Sequence, residues 1–513
     1  MAQVSIASGS QISADAGAAV ADKGGNAVDA ALAAALVSMC TDPGIMAPGA
    51  SGFITIWPPS GNPITIDAYA EMPGRGLPDE AFGKEATKVF LGYGGGMYTL
   101  IGYGSIATPG AFAGLSLASE QYGVLPWAEI VAPTLGWIER GFPLSRAAAE
   151  YLDYSHETIF GWHPDSYQTL HQSDGSHYRE GDIIHIPSLA NSLELIAEQG
   201  ADTVYTGELG HIIAAELQAN GGLLTAVDLA AYQAIPRSPI RIRFGDWEVV
   251  TNPPPAVGGA CLAAMLLLLD EQPFKQWNPS AIKRLVAIQQ AVLDYRTHHF
   301  NEASNNLVEV EAARLLELAG LSNPQTLLKS PSTIHTSAVD SDGWACSISA
   351  SAGYGSGVMV SGTGLWLNNS LGELELHPQG LQGIPPGTRL VSNMAPTIAR
   401  RDDGTILAIG SPGASRITTA IVQVLLNFIH LEMSLLEAVA HPRLHVEVFE
   451  GAPTVAFESG LTVEPITGFV TRCFPQRSMY FGGVQAALWN PTTGLSEAAD
   501  PRRAGGVARG GTL

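Results

Sequence analysis

Hydrophobic and polar positions along this chain fall into two textures, and their order predicts an α/β protein. Residues 4–8 alternate and carry β-branched positions, which predicts a strand. Ser13 to Cys40 is Ala-rich helical sequence interrupted at Lys23-Gly24-Gly25-Asn26, where glycine ends one helix and Asn26 caps the next. Phe53 to Trp57 and Ile64 to Ala68 read as strands, and Gly92 to Gly104 as a Gly/Tyr-rich loop at a pocket rim. Residues 125–235 read as mainly helical, before strands at Ile240 to Phe244 and Trp247 to Thr251. Three prolines then precede a helix from Gly258 to Leu269. Polar helical sequence from 280 to 320 leads into Ser322 to Ser332, a surface segment suited to cleavage. Beyond it, His335 to Val339 and Trp344 to Ser351 alternate as paired strands around the Asp340-Ser341-Asp342-Gly343 turn, and Thr418 to Leu431 forms an apolar helix. Strands and helices in both halves imply one α/β unit, its sheets sandwiched between helix layers.

Composition narrows the partners. With 46% hydrophobic and only 14% charged residues, the 513-residue chain has the makings of large buried sheets rather than disorder. A formal charge of -22 argues against nucleic acid and anionic membranes, which need basic patches. Cys40, Cys261, Cys346 and Cys473 show no paired spacing, so neither a zinc site nor a redox pair is signalled, and no cofactor is expected. His441 and His445 are four apart, but Pro442 spoils a helix between them, so a metal is not expected there either. The N-terminus lacks the basic and apolar regions of a leader, and the apolar run Ala260 to Leu269 is too short to span a bilayer. The expectation is a cytoplasmic protein with no membrane partner. No Gly-x-Ser-x-Gly elbow occurs.

Thr333 is the residue with the most chemical potential. A threonine hydroxyl is a poor nucleophile without a neighbouring base. Cleavage just before Thr333 would supply one, since a free α-amine titrates near pH ~7.7–8.0 and can take the hydroxyl proton. By itself the stretch Pro331-Ser332-Thr333 also reads simply as a polar strand entrance.

The surroundings of Thr333 decide between those readings. Thr333-x-His335-x-Ser337, Asp340-x-Asp342-Gly343 and Tyr354-Gly355-Ser356-Gly357 resemble the small-subunit start of γ-glutamyltransferases, which are N-terminal nucleophile (Ntn) hydrolases. Collinear blocks extend the resemblance over nearly the whole chain. They include Gly24-Gly25-Asn26-Ala27-Val28-Asp29, Ala107-Thr108-Pro109-Gly110, Asn220-Gly221-Gly222, Pro253-Pro254-Pro255, Leu367-Asn368-Asn369, Met394-Ala395-Pro396-Thr397, Gly410 to Arg416 and Asp500-Pro501-Arg502-Arg503. The resemblance implies a four-layer αββα sandwich and cleavage between Ser332 and Thr333. The products would be a large subunit, 1–332, and a small one, 333–513, which are each other's partners within one intertwined domain. It implies Thr333 as nucleophile and Ser351 as the hydroxyl that contacts its amine, with serine in the family's threonine position. It also implies Gly413 and Ala414 as the backbone N–H pair of an oxyanion hole.

Substrate recognition departs from the family. Glu71 matches the glutamate of an Arg-Glu pair, but Ala70 stands where the carboxylate-gripping arginine should be. Arg75, a turn further on, is the candidate replacement, set against a plain surface role. Glu373 takes the place of an amine-binding aspartate, and Ser392-Asn393 that of a Ser-Ser pair. The short Pro/Gly-rich stretch from Leu374 to Arg389 replaces a longer lid, which favours water over amine acceptors. The expectation is a self-processing amidohydrolase acting on a small-molecule amide whose acyl group lacks the full γ-glutamyl zwitterion. The alternatives are a γ-glutamyl hydrolase or transferase with a rearranged clamp, and an uncleaved, non-catalytic binding relative.

Overall fold

The computed structural model describes residues 1–92, 96–300, 307–319, 333–377, 380–381 and 383–511. Two antiparallel sheets carry the fold. The first has seven strands in the order Gly506–Gly510, Val4–Ser8, Ile334–Asp340, Ala345–Ser351, Ser51–Trp57, Ile64–Ala68, Ile235–Arg237. The second has six, in the order Gly494–Ala499, Gln485–Asn490, Ile406–Gly410, Thr397–Arg401, Trp247–Thr251, Ile240–Phe244. Both sheets interleave strands from before and after Thr333, so neither half of the chain builds either of these two sheets alone.

The sheets lie face to face, and helices cover both outer faces, completing four layers. The Gln11–Asp22 and Ala27–Thr41 helices pack on the first sheet within one core. The Val257–Asp270, Pro279–Tyr295 and Arg416–Leu425 helices pack with the second sheet in another. Ala27–Thr41 is buried on every side, which is why its sequence shows little helical periodicity. Asn26 caps it as expected: its side chain accepts from the Val28 and Asp29 N–H groups, while Asp29 answers the Asn26 N–H. Asp340 pins the same helix to the first sheet, accepting from the Ala27 N–H at 3.0 Å and, with its other oxygen, from Asp342 and Trp344. Burial lifts the Asp340 carboxyl to about 6. The block Asp340-x-Asp342-Gly343 is therefore structural, closing the hairpin turn and seating a helix.

Three expectations are corrected. The glycine-rich loop contains a hairpin, Thr87–Leu91 with Met97–Ile101, because Thr99 and Ile101 alternate inward and bury. Its tip, Tyr93 to Gly95, lies outside the described residues. The helical stretch 125–235 contains a two-stranded ribbon, Phe142–Pro143 with Ile183–Ile184. The apolar helix starts at Arg416 and passes into a π-helical turn over Leu426–His430. The segment Ser322 to Ser332 also lies outside the described residues.

Candidate active site

Strand register brings the catalytic candidates together. Ile334 pairs with Ala350 and Ser337 with Ser347, so the same register set back one residue places Thr333 opposite Ser351. Side chains two apart share a face of a strand. Ile334, Ala338, Cys346, Ile348 and Ala350 point into the core beneath the first helix layer. Thr333, His335, Ser337, Ser347, Ser349 and Ser351 therefore face the second sheet.

That face is a hydrogen-bonded seam rather than an oily one. His335 sits between Ser349 Oγ, 2.8 Å from Nδ1, and Ser337 Oγ, 2.9 Å from Nε2. Ser337 and Ser347 donate onward to the carbonyls of Gln485 and Ile409 in the second sheet. Gly410 leaves room for the imidazole, since a Cβ there would lie 2.3 Å from the ring. Burial drives His335 down to about 3, so it stays neutral and acts as a pin between sheets, not as a base.

At the end of this seam Thr333 (3% exposed) and Ser351 (4%) line a small, partly open cavity. Tyr69, Glu373, Ser392, Asn393 and Ala414 share its wall, and Leu376, Met394 and Ile417 supply its apolar side. Ala414 belongs to the turn between the Ile406–Gly410 strand and the Arg416–Leu425 helix. Gly413 has φ +124, and a Cβ there would also lie 2.9 Å from the Gly482 Cα. Ala414 adopts the left-handed region with φ +59, a conformation that costs a residue with a Cβ about 1–2 kcal/mol. Ser411 fixes the turn by accepting from the Gly483 N–H and donating to the Pro412 carbonyl. Among the described residues, neither the Gly413 nor the Ala414 N–H has an acceptor, and both precede a helix N-terminus. Of the two, Ala414 lines the cavity beside Thr333, and Gly413 precedes it in the turn.

The substrate candidates separate into two groups. Glu373, Ser392 and Asn393 reach the cavity; Glu71 and Arg75 do not. Beyond the Ile64–Ala68 strand the chain runs between Thr108 and Arg389, which sends Tyr69 into the cavity and Glu71 away from it. Glu71 pairs with Arg389 at 3.0 Å and with Arg75 at 3.2 Å, and Arg75 also pairs with Asp228 at 3.3 Å. Burial raises the Glu71 carboxyl, against the pull of Arg389 and Arg75. Ala70 is fully buried in the second core and is not among the residues that line the cavity. Three contributors escaped sequence reasoning. Tyr69 stacks on Phe53 at 5.4 Å, Arg389 organises the acidic pair Asp67 and Glu71, and Arg503 donates to the Thr333 carbonyl at 3.3 Å. The Arg503 position was signalled by the Asp500-Pro501-Arg502-Arg503 block; nothing in the sequence signalled the other two.

His441 and His445 do not converge. His441 stacks on Trp277 and His445 meets Thr419. Among the described residues no cluster of His, Cys, Asp or Glu could hold a metal ion, and no helix is long and apolar enough to cross a membrane. Ser332 lies outside the described residues.

Comparison with known proteins accords with this geometry. The family model for gamma-glutamyltranspeptidase matches residues 13–510. A glutathione hydrolase proenzyme of Escherichia coli is 30% identical over 82% of this chain and 77% of its own. An acylase ACY 1 proenzyme of Pseudomonas sp. is 27% identical over 97% of this chain and 93% of its own. Among solved structures, a cephalosporin acylase from Bacillus halodurans superposes with a TM-score of 0.80 at 24% identity, covering 99% of this chain and 96% of that one. The fold is thus the Ntn-hydrolase αββα sandwich, and the chain belongs to the gamma-glutamyltranspeptidase family of amide-bond hydrolases and acyltransferases.

Proposed function

We propose that this protein cleaves itself between Ser332 and Thr333 and then hydrolyses a small amide through an acyl ester on Thr333. In the first step the Thr333 hydroxyl oxygen attacks the Ser332 carbonyl carbon, the peptide C–N bond breaks, and the proton passes to the departing nitrogen. Water then hydrolyses the ester, leaving a Ser332 carboxylate and a free Thr333 amine. In turnover that amine takes the hydroxyl proton as the oxygen attacks the substrate carbonyl and passes it to the leaving amine. Water releases the acyl group as an acid. Ser351 orients the amine, and the Gly413 and Ala414 N–H groups hold the oxyanion.

The observation that carries this reading is the shared cavity of Thr333, Ser351 and Ala414, in which no arginine or lysine takes part among the described residues. The same absence supports an acyl substrate other than a standard γ-glutamyl group, since neutral donors replace the bidentate grip of an arginine poorly. The relatives, a glutathione hydrolase and an acylase, span that choice. A γ-glutamyl hydrolase or transferase is the second reading, favoured by Glu373, Ser392 and Asn393 in the cavity wall. Steady-state assay of the purified, cleaved protein on γ-glutamyl-p-nitroanilide separates them. We expect kcat/KM about a hundredfold or more below that of a glutathione hydrolase assayed alongside. Parity would establish the second reading.

A further inference from the structure

The cavity wall carries a charge pattern that specifies more than the loss of a clamp. Among the described residues, Glu373 is the charged side chain that lines it, and it is 5% exposed. Its neighbours are the Tyr69 hydroxyl, the Ser392 hydroxyl and the Asn393 amide. Tyr69 lies close enough to Ser392 for their hydroxyls to interact, and close enough to Glu373 and Glu375 to feel both charges. Burial, and then Glu373, push its ionisation well above the ordinary phenol range, so it stays neutral. The surrounding guanidiniums are committed elsewhere. Arg389 pairs with Asp67 and Glu71, Arg416 donates to the Tyr480 carbonyl, and Arg503 to that of Thr333. Glu375 is faced by Arg296 and Arg416, and none of the three lines the cavity.

Consider what each end group of a short acyl chain would meet. An ammonium would meet the Glu373 carboxylate with hydroxyl oxygens beside it, a charge-assisted arrangement in a site largely shut off from water. A carboxylate placed against Tyr69 would lie next to the Glu373 charge, with no cation among the described wall residues to offset its desolvation. The apolar residues Leu376, Met394 and Ile417 on the same wall offer a surface for the methylenes of a short chain.

We propose that Tyr69, set beside Glu373, is a specificity-determining residue that turns the acyl site into one for short ω-aminoacyl groups, an ammonium-bearing chain without a carboxylate. This rests on the reading of Thr333 as the acyl-accepting nucleophile. Four p-nitroanilides dissect it, because they differ only in what the fourth carbon of a γ-glutamyl chain carries. γ-Glutamyl has ammonium and carboxylate, 4-aminobutanoyl only the ammonium, glutaryl only the carboxylate, and butanoyl neither.

With the cleaved protein, kcat/KM for 4-aminobutanoyl should exceed each of the other three by about tenfold or more. Glu373→Gln should collapse the ratio of 4-aminobutanoyl to butanoyl toward one. Tyr69→Phe keeps the ring stacked on Phe53, and should narrow the ratio of 4-aminobutanoyl to glutaryl mainly through KM; a merely structural loss would lower all four alike. If glutaryl or γ-glutamyl is preferred, or the four are equal, the inference is overturned while the reading of Thr333 stands. If none of the four is cleaved, that reading falls and takes the inference with it.

Discussion

Thr333→Ala is expected to leave one uncut chain of 513 residues and to abolish turnover. Both effects come from a single atom. The hydroxyl oxygen is the attacking group in self-cleavage and, with the new amine beside it, in every catalytic cycle. Removing a nucleophile that acts as one unit with its base costs on the order of 10⁴-fold or more in kcat. The fold should be kept, because Thr333 sits at the entrance of the Ile334–Asp340 strand and its side chain ends in a cavity rather than in either core. A denaturing gel and a thermal melt read both outcomes together. Thr333→Ser should restore cleavage, since it keeps the hydroxyl. A Thr333→Ala protein that still separates into fragments of 332 and 181 residues would refute the mechanism, and an uncut wild-type chain would favour the non-catalytic binding relative.

Asp500→Asn is expected to be the most destabilising single-atom change outside the cavity. Arg443 and Arg502, buried to 2% and 0% of their side chains, share four carboxylate oxygens with Asp500 and Glu458. Arg443 meets Asp500 at 2.6 Å and Arg502 meets it at 3.1 Å, while Glu458 closes tightly on Arg502. Two cations and two anions balance, so the group tolerates burial only while complete. Removing one partner of a buried pair costs about 3–5 kcal/mol because the other charge is left uncompensated. The site would suffer too, since Arg503, next in the chain, holds the Thr333 carbonyl.

The pH dependence has a definite sign. Burial by itself would raise the Asp500 carboxyl, but Arg443 and Arg502 hold it below its ordinary value. Its contribution is therefore present above the unfolded carboxyl range, near pH ~4, and is lost as pH falls through the lower folded value. Urea unfolding of wild type and Asp500→Asn at pH 7 should differ by that amount, and the difference should shrink only below about pH 4. A difference under about 1 kcal/mol at pH 7 would show that the quartet does not bear on stability.

Much of this was legible in the sequence for identifiable reasons. Alternation over 334–351 fixed the hairpin and, through it, the facing of Thr333 and Ser351, because one register error would turn every side chain to the wrong face. The Asn26 cap and the turn at Asp340 follow from local chemistry alone. The hairpin at Thr87 to Ile101 was hidden because glycines near its tip dilute the two-residue period. The acyl pocket was the least legible part. Which of Tyr69, Ala70 and Glu71 faces substrate depends on how the chain leaves its strand, and Arg389 takes hold of Glu71 from 318 residues away. Alanine at 70 signalled that the usual grip was gone, but only the packing reveals that Tyr69 occupies the wall instead.

The central claim is that the acyl group passes through the threonine at the start of the second subunit. Intact-mass analysis of the purified protein, quenched with acid during turnover of 4-aminobutanoyl-p-nitroanilide, tests it most directly. The account predicts two chains, with a fraction of the 333–513 chain heavier by one acyl group and fragmentation placing that mass on Thr333. Turnover by an uncut chain, or acyl mass carried on any other residue, would contradict it.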